Sequence, residues 1–202
     1  MKKFNLILIT LFFLIYNFSF ATTNFNSDPK LFITELVNSS VNTLANKDLT
    51  KSEKENFIKE VALNNVDINA LSLYTLGEIR KTLEKDVLAN YINVFEKYFL
   101  KTLTSRLTEY SSNKFEIVSA EKKSSNYTIV KSKIVGSPSQ PEIKIDWRVY
   151  TKNSDKPLIR DLIVEGLSLA RTQKEEFASI LSSNNNDVNI LIIKLEQFVV
   201  ND

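Results

Sequence analysis

Asp161 and Glu165 stand four positions apart in an alternating stretch. On one strand that spacing puts both carboxylates on the same face, the arrangement used for acid and base catalysis at a glycosidic bond. The alternative is a pair of solvent-facing strand acids, which is far commoner, and no basic or nucleophilic cluster accompanies the two. Lys144 and Arg148 likewise share the polar face of one strand, where they can meet an anionic group or simply water. Phe95, Tyr98, Phe99, Leu103 and Leu107 recur every three or four residues, which is either an ordinary core stripe or one wall of an apolar pocket. Among the 202 residues there is no His and no Cys, which excludes Ser-His-Asp triads, Cys and His nucleophiles, disulfides and the usual zinc sites. Three glycines, Gly77, Gly136 and Gly166, lie too far apart for a phosphate-binding loop. The residue types argue against an enzyme, and no metal or cofactor is expected.

The elements that must position these residues read in order. Lys2 and Lys3 precede an apolar run from Leu6 to Tyr16, and Ser19-Phe20-Ala21 offers small residues at a cleavage site. The run spans 11 residues, short of the ~20 that a membrane anchor needs, so residues 1–21 read as a cleaved signal peptide. That leaves residues 22–202 as a single domain, long enough for one core. Losing Lys2 and Lys3 leaves 24 basic residues against 24 acidic ones. A neutral chain without a basic block has no electrostatic attraction to nucleic acid.

Asp28-Pro29 starts a first helix carrying Leu31, Phe32, Leu36, Val37, Val41 and Leu44. Thr50 or Ser52, with Glu53 and Glu55, opens a second helix that ends at Asn64-Asn65. From Asp67 a short third helix with Ile68, Leu71 and Leu76 leads to Gly77, a break or close-contact point. The longest helix follows, from Leu88 through Tyr91, Ile92, Phe95 and Phe99 to Tyr110. Alternation then gives strands over Phe115–Glu121, Tyr127–Val135, Ile143–Tyr150 and Leu158–Val164, separated by turns at Glu121 to Asn126, Gly136 to Pro141 and Asn153 to Pro157. They form a four-stranded antiparallel meander. Ser168 or Thr172 caps a further helix with Phe177, Ile180 and Leu181, and Val188 to Val199 forms the last. The fold class is α+β: N-terminal helices including one long one, a meander sheet, and C-terminal helices.

Asp146-Trp147-Arg148-Val149-Tyr150, then Asp161 through Val164-Glu165-Gly166-Leu167-Ser168-Leu169, then Glu176-Phe177, resembles the MlaC-type family of periplasmic phospholipid-binding proteins, also called the toluene-tolerance family. Leu76-Gly77 before a helix carrying Phe95, Leu107 and Tyr110 fits the same pattern, so the resemblance spans nearly the whole mature chain. Two positions depart from it: Ile79-Arg80, where an aromatic residue is usual, and Lys174, where Arg is usual. The resemblance implies a periplasmic carrier that holds the acyl chains of a glycerophospholipid in an internal cavity between helices and sheet. It also implies exchange of that lipid between an outer-membrane lipoprotein-porin complex and an inner-membrane ABC-type transporter complex, which maintains outer-membrane lipid asymmetry. The lipid is cargo, and the carrier is a monomer.

Physical chemistry makes that role coherent with the sequence. Exposing roughly 30 methylenes to water costs about 0.8 kcal/mol each, or on the order of 25 kcal/mol, and escape over that barrier takes roughly days. The expected cavity walls are Phe95, Phe99 and Leu103 of the long helix and Ile143, Ile145, Trp147 and Val149 of the third strand, with Val164, Leu167 and Leu169 from the matching motif. The alternative is an exported adaptor or binding module without lipid cargo.

Overall fold

The computed structural model describes residues 25–107, 114–136, 141–153 and 155–201. The signal peptide, Tyr110 and the centre of the Gly136 to Pro141 loop lie outside the described residues.

Among the described residues six α-helices flank one antiparallel sheet: α1 Pro29–Ala45, α2 Lys51–Asn65, α3 Ile68–Leu76, α4 Lys85–Leu107, α5 Leu169–Ser182 and α6 Val188–Val200. Their starts follow from side chains that satisfy otherwise unpaired N–H groups. Asp28 accepts from Lys30 and Leu31, with Pro29 fixing the first helical φ. Thr50 and Glu53 form a capping box at α2. Asp67 accepts from Ala70 at α3, and Ser168 from Arg171 at α5. Gly77 closes α3 at φ 70°, after which Gly77–Lys81 winds as a 3-10 turn into α4.

The sheet runs in sequence order β1 Phe115–Ser124, β2 Tyr127–Ile134, β3 Ile143–Tyr150, β4 Leu158–Val164 and β5 Leu167–Ser168. It therefore has five strands rather than four. Glu165 and Gly166, at φ 49° and 83°, make a tight turn that lets Leu167 and Ser168 fold back on Val164 and Ile163 before α5 begins. β1 is also longer than expected: it continues to Ser124 and pairs there with Tyr127, confining the turn to Ser125 and Asn126.

Pleating assigns the two faces to different partners. Val130, Val149 and Ile159 point to α1, where they join Phe32, Ile33, Leu36 and Val37 in one buried cluster flanked by Trp147 and Leu162. A second cluster lies among the helices: Leu76 of α3, Tyr91, Val94 and Phe95 of α4, Phe177 and Leu181 of α5, and Leu191, Ile192 and Leu195 of α6. Inside it, the Tyr91 and Thr75 hydroxyls bond at 3.0 Å. Burial raises the Tyr91 pKa far above its ordinary value, so the phenol stays neutral.

The chain crosses between these clusters at the β4 edge. Val66 bridges Ile159 in parallel, and the Asp67 N–H donates to the Ile159 carbonyl at 2.9 Å. β5 is too short to cover this part of β4, so the α2–α3 junction takes the open edge.

Candidate ligand-binding cleft

The sheet face turned away from α1 bounds a half-open cleft of about 800 Å³. That lies within the range of ligand sites, about 300–1,000 Å³. Tyr127, Ile129 and Lys131 of β2, Asp146 and Arg148 of β3, and Arg160, Asp161 and Ile163 of β4 form one wall. Ala70, Leu71 and Tyr74 of α3 and Ala170 of α5 form the other, with Lys123 and Ser124 at the rim.

The strand register explains the sheet wall. Arg148 lies opposite Ile129 and Asp161, and Asp146 opposite Lys131 and Ile163. Strict alternation would send Arg160 and Asp161 to opposite faces. A shift between Arg148 and Val149 pairs them with Asp161 and Ile159, leaving Arg160 as the extra residue of a β-bulge. Ile159 therefore serves the α1 cluster while both Arg160 and Asp161 line the cleft.

The charged wall is organised into local pairs. The Arg160 Nε donates to Asp67 Oδ2 at 2.8 Å, Nη2 lies 2.7 Å from the same oxygen, and Nη1 donates to the Tyr127 hydroxyl at 2.9 Å. Its guanidinium also stacks 3.4 Å above the Tyr150 ring centre. Burial opposes the Arg160 charge, but its hydrogen bonds to Tyr127 and Asp67 outweigh that and raise its pKa. The contact ties the start of α3 to β4. Glu121 bonds Lys123 and Lys131, and their ammonium groups pull its pKa down from 4.5 to about 2.

Asp161 is 4% exposed, so neither solvent exposure nor a carboxylate pair with Glu165 describes it. Its Oδ2 accepts from Ser168 Oγ at 2.7 Å and its Oδ1 from the Ala170 N–H at 3.0 Å, joining β4 to the start of α5. Glu165 sits in the β4–β5 turn, where its carboxylate accepts from the Lys144 N–H. Lys144 does not line the cleft, whereas Arg148 does.

None of the ten residues expected to line a cavity borders this cleft. Phe95 and Phe99 stack on α4 with ring centres 6.3 Å apart, and Phe95 meets Phe177 edge-on at 6.3 Å inside the helical cluster. Leu103 continues α4, half-buried. The register brings Ile145 beside Val164 and places Ile143, Trp147 and Val149 on the same alternating face of β3, the face turned to α1. Leu167 and Leu169 are exposed on β5 and at the start of α5. The long helix and the apolar face of β3 therefore do not face each other: α4 packs on α6, α3 and α2, and α1 covers that face of the sheet.

Sequence reasoning missed the cleft wall because Lys131, Asp146, Arg148 and Asp161 spell a wet strand face. The available signal was charge on the same face of three adjacent strands, beside the short α3 with its three leucines. Among the described residues there is no group of acidic side chains that could hold a metal ion, and no helix is long and apolar enough to cross a membrane.

These features define an α+β protein whose antiparallel meander and two helices enclose a half-open cleft. The model of the MlaC protein family matches residues 34–197, and the chain belongs to that family. Among solved structures, the chain resembles the phospholipid-binding protein from Ralstonia solanacearum, determined in complex with a phospholipid. The TM-score is 0.68 at 15% identity, covering 84% of this chain and 95% of that one. No curated protein matches the chain.

Proposed function

We propose that this protein is a phospholipid carrier. The observation that carries this reading is the cleft of about 800 Å³ between α3, α5 and the sheet. Membership of the MlaC family supports it, as does likeness in fold to a protein solved with a phospholipid. The acyl chains lie against Leu71, Tyr74, Ile129 and Ile163. Dispersion contacts with these side chains hold disordered tails without demanding one pose. Of the ten residues expected from sequence, Phe95 and Phe99 in the helical cluster and Trp147 and Val149 in the cluster under α1 support the site from behind as packed layers, whereas Leu167 and Leu169 are exposed.

In this reading residues 1–21 are removed on export and residues 22–202 form one lipid-binding domain in the periplasm. The protein moves a glycerophospholipid as a monomer between an outer-membrane lipoprotein-porin complex and an inner-membrane ABC-type transporter, which keeps the outer membrane asymmetric. Transfer needs an apolar surface that replaces the bilayer interior, not a reacting group, so the protein is not an enzyme. Denaturing mass spectrometry of protein purified without detergent tests the proposal. Phospholipid at close to one per chain is expected; protein that comes out empty, and stays empty when offered phospholipid, would instead be an adaptor.

A further inference from the structure

We infer that Arg148 is the seat for the phosphate of the bound lipid; this rests on the phospholipid-carrier reading above. Four cationic side chains border the cleft, and three are already committed. Lys123 and Lys131 share Glu121, and Arg160 spends its donors on Asp67 and Tyr127. Arg148 differs. Its nearest carboxylate oxygen is Asp161 Oδ2 at 3.7 Å, outside hydrogen-bond reach, and that oxygen already accepts from Ser168 at 2.7 Å. The other oxygen of Asp161 accepts from Ala170 at 3.0 Å. Asp161 thus balances the charge of Arg148 through space and leaves its N–H fork unused among the described residues.

The Arg148 side chain is 44% exposed, which leaves it accessible to a ligand. A guanidinium presents two parallel donors to two oxygens of a phosphodiester, a match that a single ammonium lacks. Asp146, which also lines the cleft, stands opposite Lys131 in the register and attracts that lysine through space without forming an ion pair. Ile129 flanks Arg148 across β2 and Ile163 lies one row along β4, so a phosphate on Arg148 leaves apolar wall beside it for the tails.

The test offers the purified protein phosphatidylglycerol and a diacylglycerol with the same acyl chains, and reads bound lipid by mass spectrometry. A charge-assisted fork predicts a preference for the phospholipid of about tenfold or more. Arg148→Gln should lose that preference while still taking up diacylglycerol. Arg148→Lys keeps a cation beside Asp161 but loses the fork, so its preference should fall several-fold even if the Gln variant does not fold. A preference unchanged in either folded variant, or absent from the wild type, overturns the assignment and leaves the carrier reading standing. Uptake of neither lipid overturns the carrier reading itself. Inorganic phosphate should not expel bound phospholipid; if it does, the cleft is a site for free phosphate and the assignment fails.

Discussion

Gly77 takes φ 70° and ψ −149°, a backbone state that side-chain-bearing residues scarcely populate. A Cβ there would meet Lys174 Cε at 3.5 Å, an ordinary contact, so the obstacle is the backbone and not the space. Gly77→Ala should cost about 1 to 3 kcal/mol in urea unfolding, without change in the bound-lipid ratio of the folded fraction. Asp161 holds a different position: its carboxylate ties the centre of β4 to the first turn of α5 through two hydrogen bonds. Asp161→Ala leaves the Ser168 hydroxyl and the Ala170 N–H without their acceptor and removes the counter-charge of Arg148. A loss of about 2 kcal/mol is expected in the same measurement. The two residues were unequally legible. Leu76-Gly77 at the end of a periodic stretch marked a break, but nothing in the letters around Asp161 distinguished a buried carboxylate from a wet one.

At the level of elements, α1 is the lid on the dry face of the sheet. Phe32 is 1% exposed and packs with Val130, Val149 and Ile159, so Phe32→Ala should cost about 3 to 5 kcal/mol. Leu167→Glu, at a position 68% exposed, should change stability by no more than about 0.5 kcal/mol. Thermal unfolding of the two variants beside the wild type checks both. Helix and strand existence was readable because caps and periods are local: Asp28-Pro29, Thr50 with Glu53, and the Ile143, Ile145, Trp147, Val149 alternation each carry their own signal. Which layer covers which face is not local. The sequence shows that β3 has a dry face, yet both α1 and α4 offer suitable apolar stripes, and only the crossing at Val66 and Asp67 assigns that face to α1 and leaves α4 among the helices. β5 escaped notice because two residues are too few to show a period.

For the whole molecule, the acid limb of stability is set partly on the surface. Glu121 has its pKa lowered from 4.5 to about 2 by Lys123 first and Lys131 next, and Glu53, Glu78 and Glu142 shift in the same direction. A carboxylate whose pKa is lower when folded stabilises the fold above its unfolded value and loses that contribution as pH falls. The loss attributable to Glu121 therefore falls between pH 4.5 and about 2. Glu121→Gln should flatten the pH dependence of the urea midpoint in that window, and added salt should shrink the difference, since the group is exposed. The bulge at Arg160 carries a different consequence for the molecule as a whole. It acts as a parity offset: every side chain after it on β4 answers to the opposite side from the one simple counting assigns. Excising that single residue would join Ile159 directly to Asp161 and make the pairing with β3 continuous, with Asp161 and Ile163 still in the cleft and Leu162 still beneath α1, so what the insertion adds is Arg160 itself and its tie to Asp67 and Tyr127.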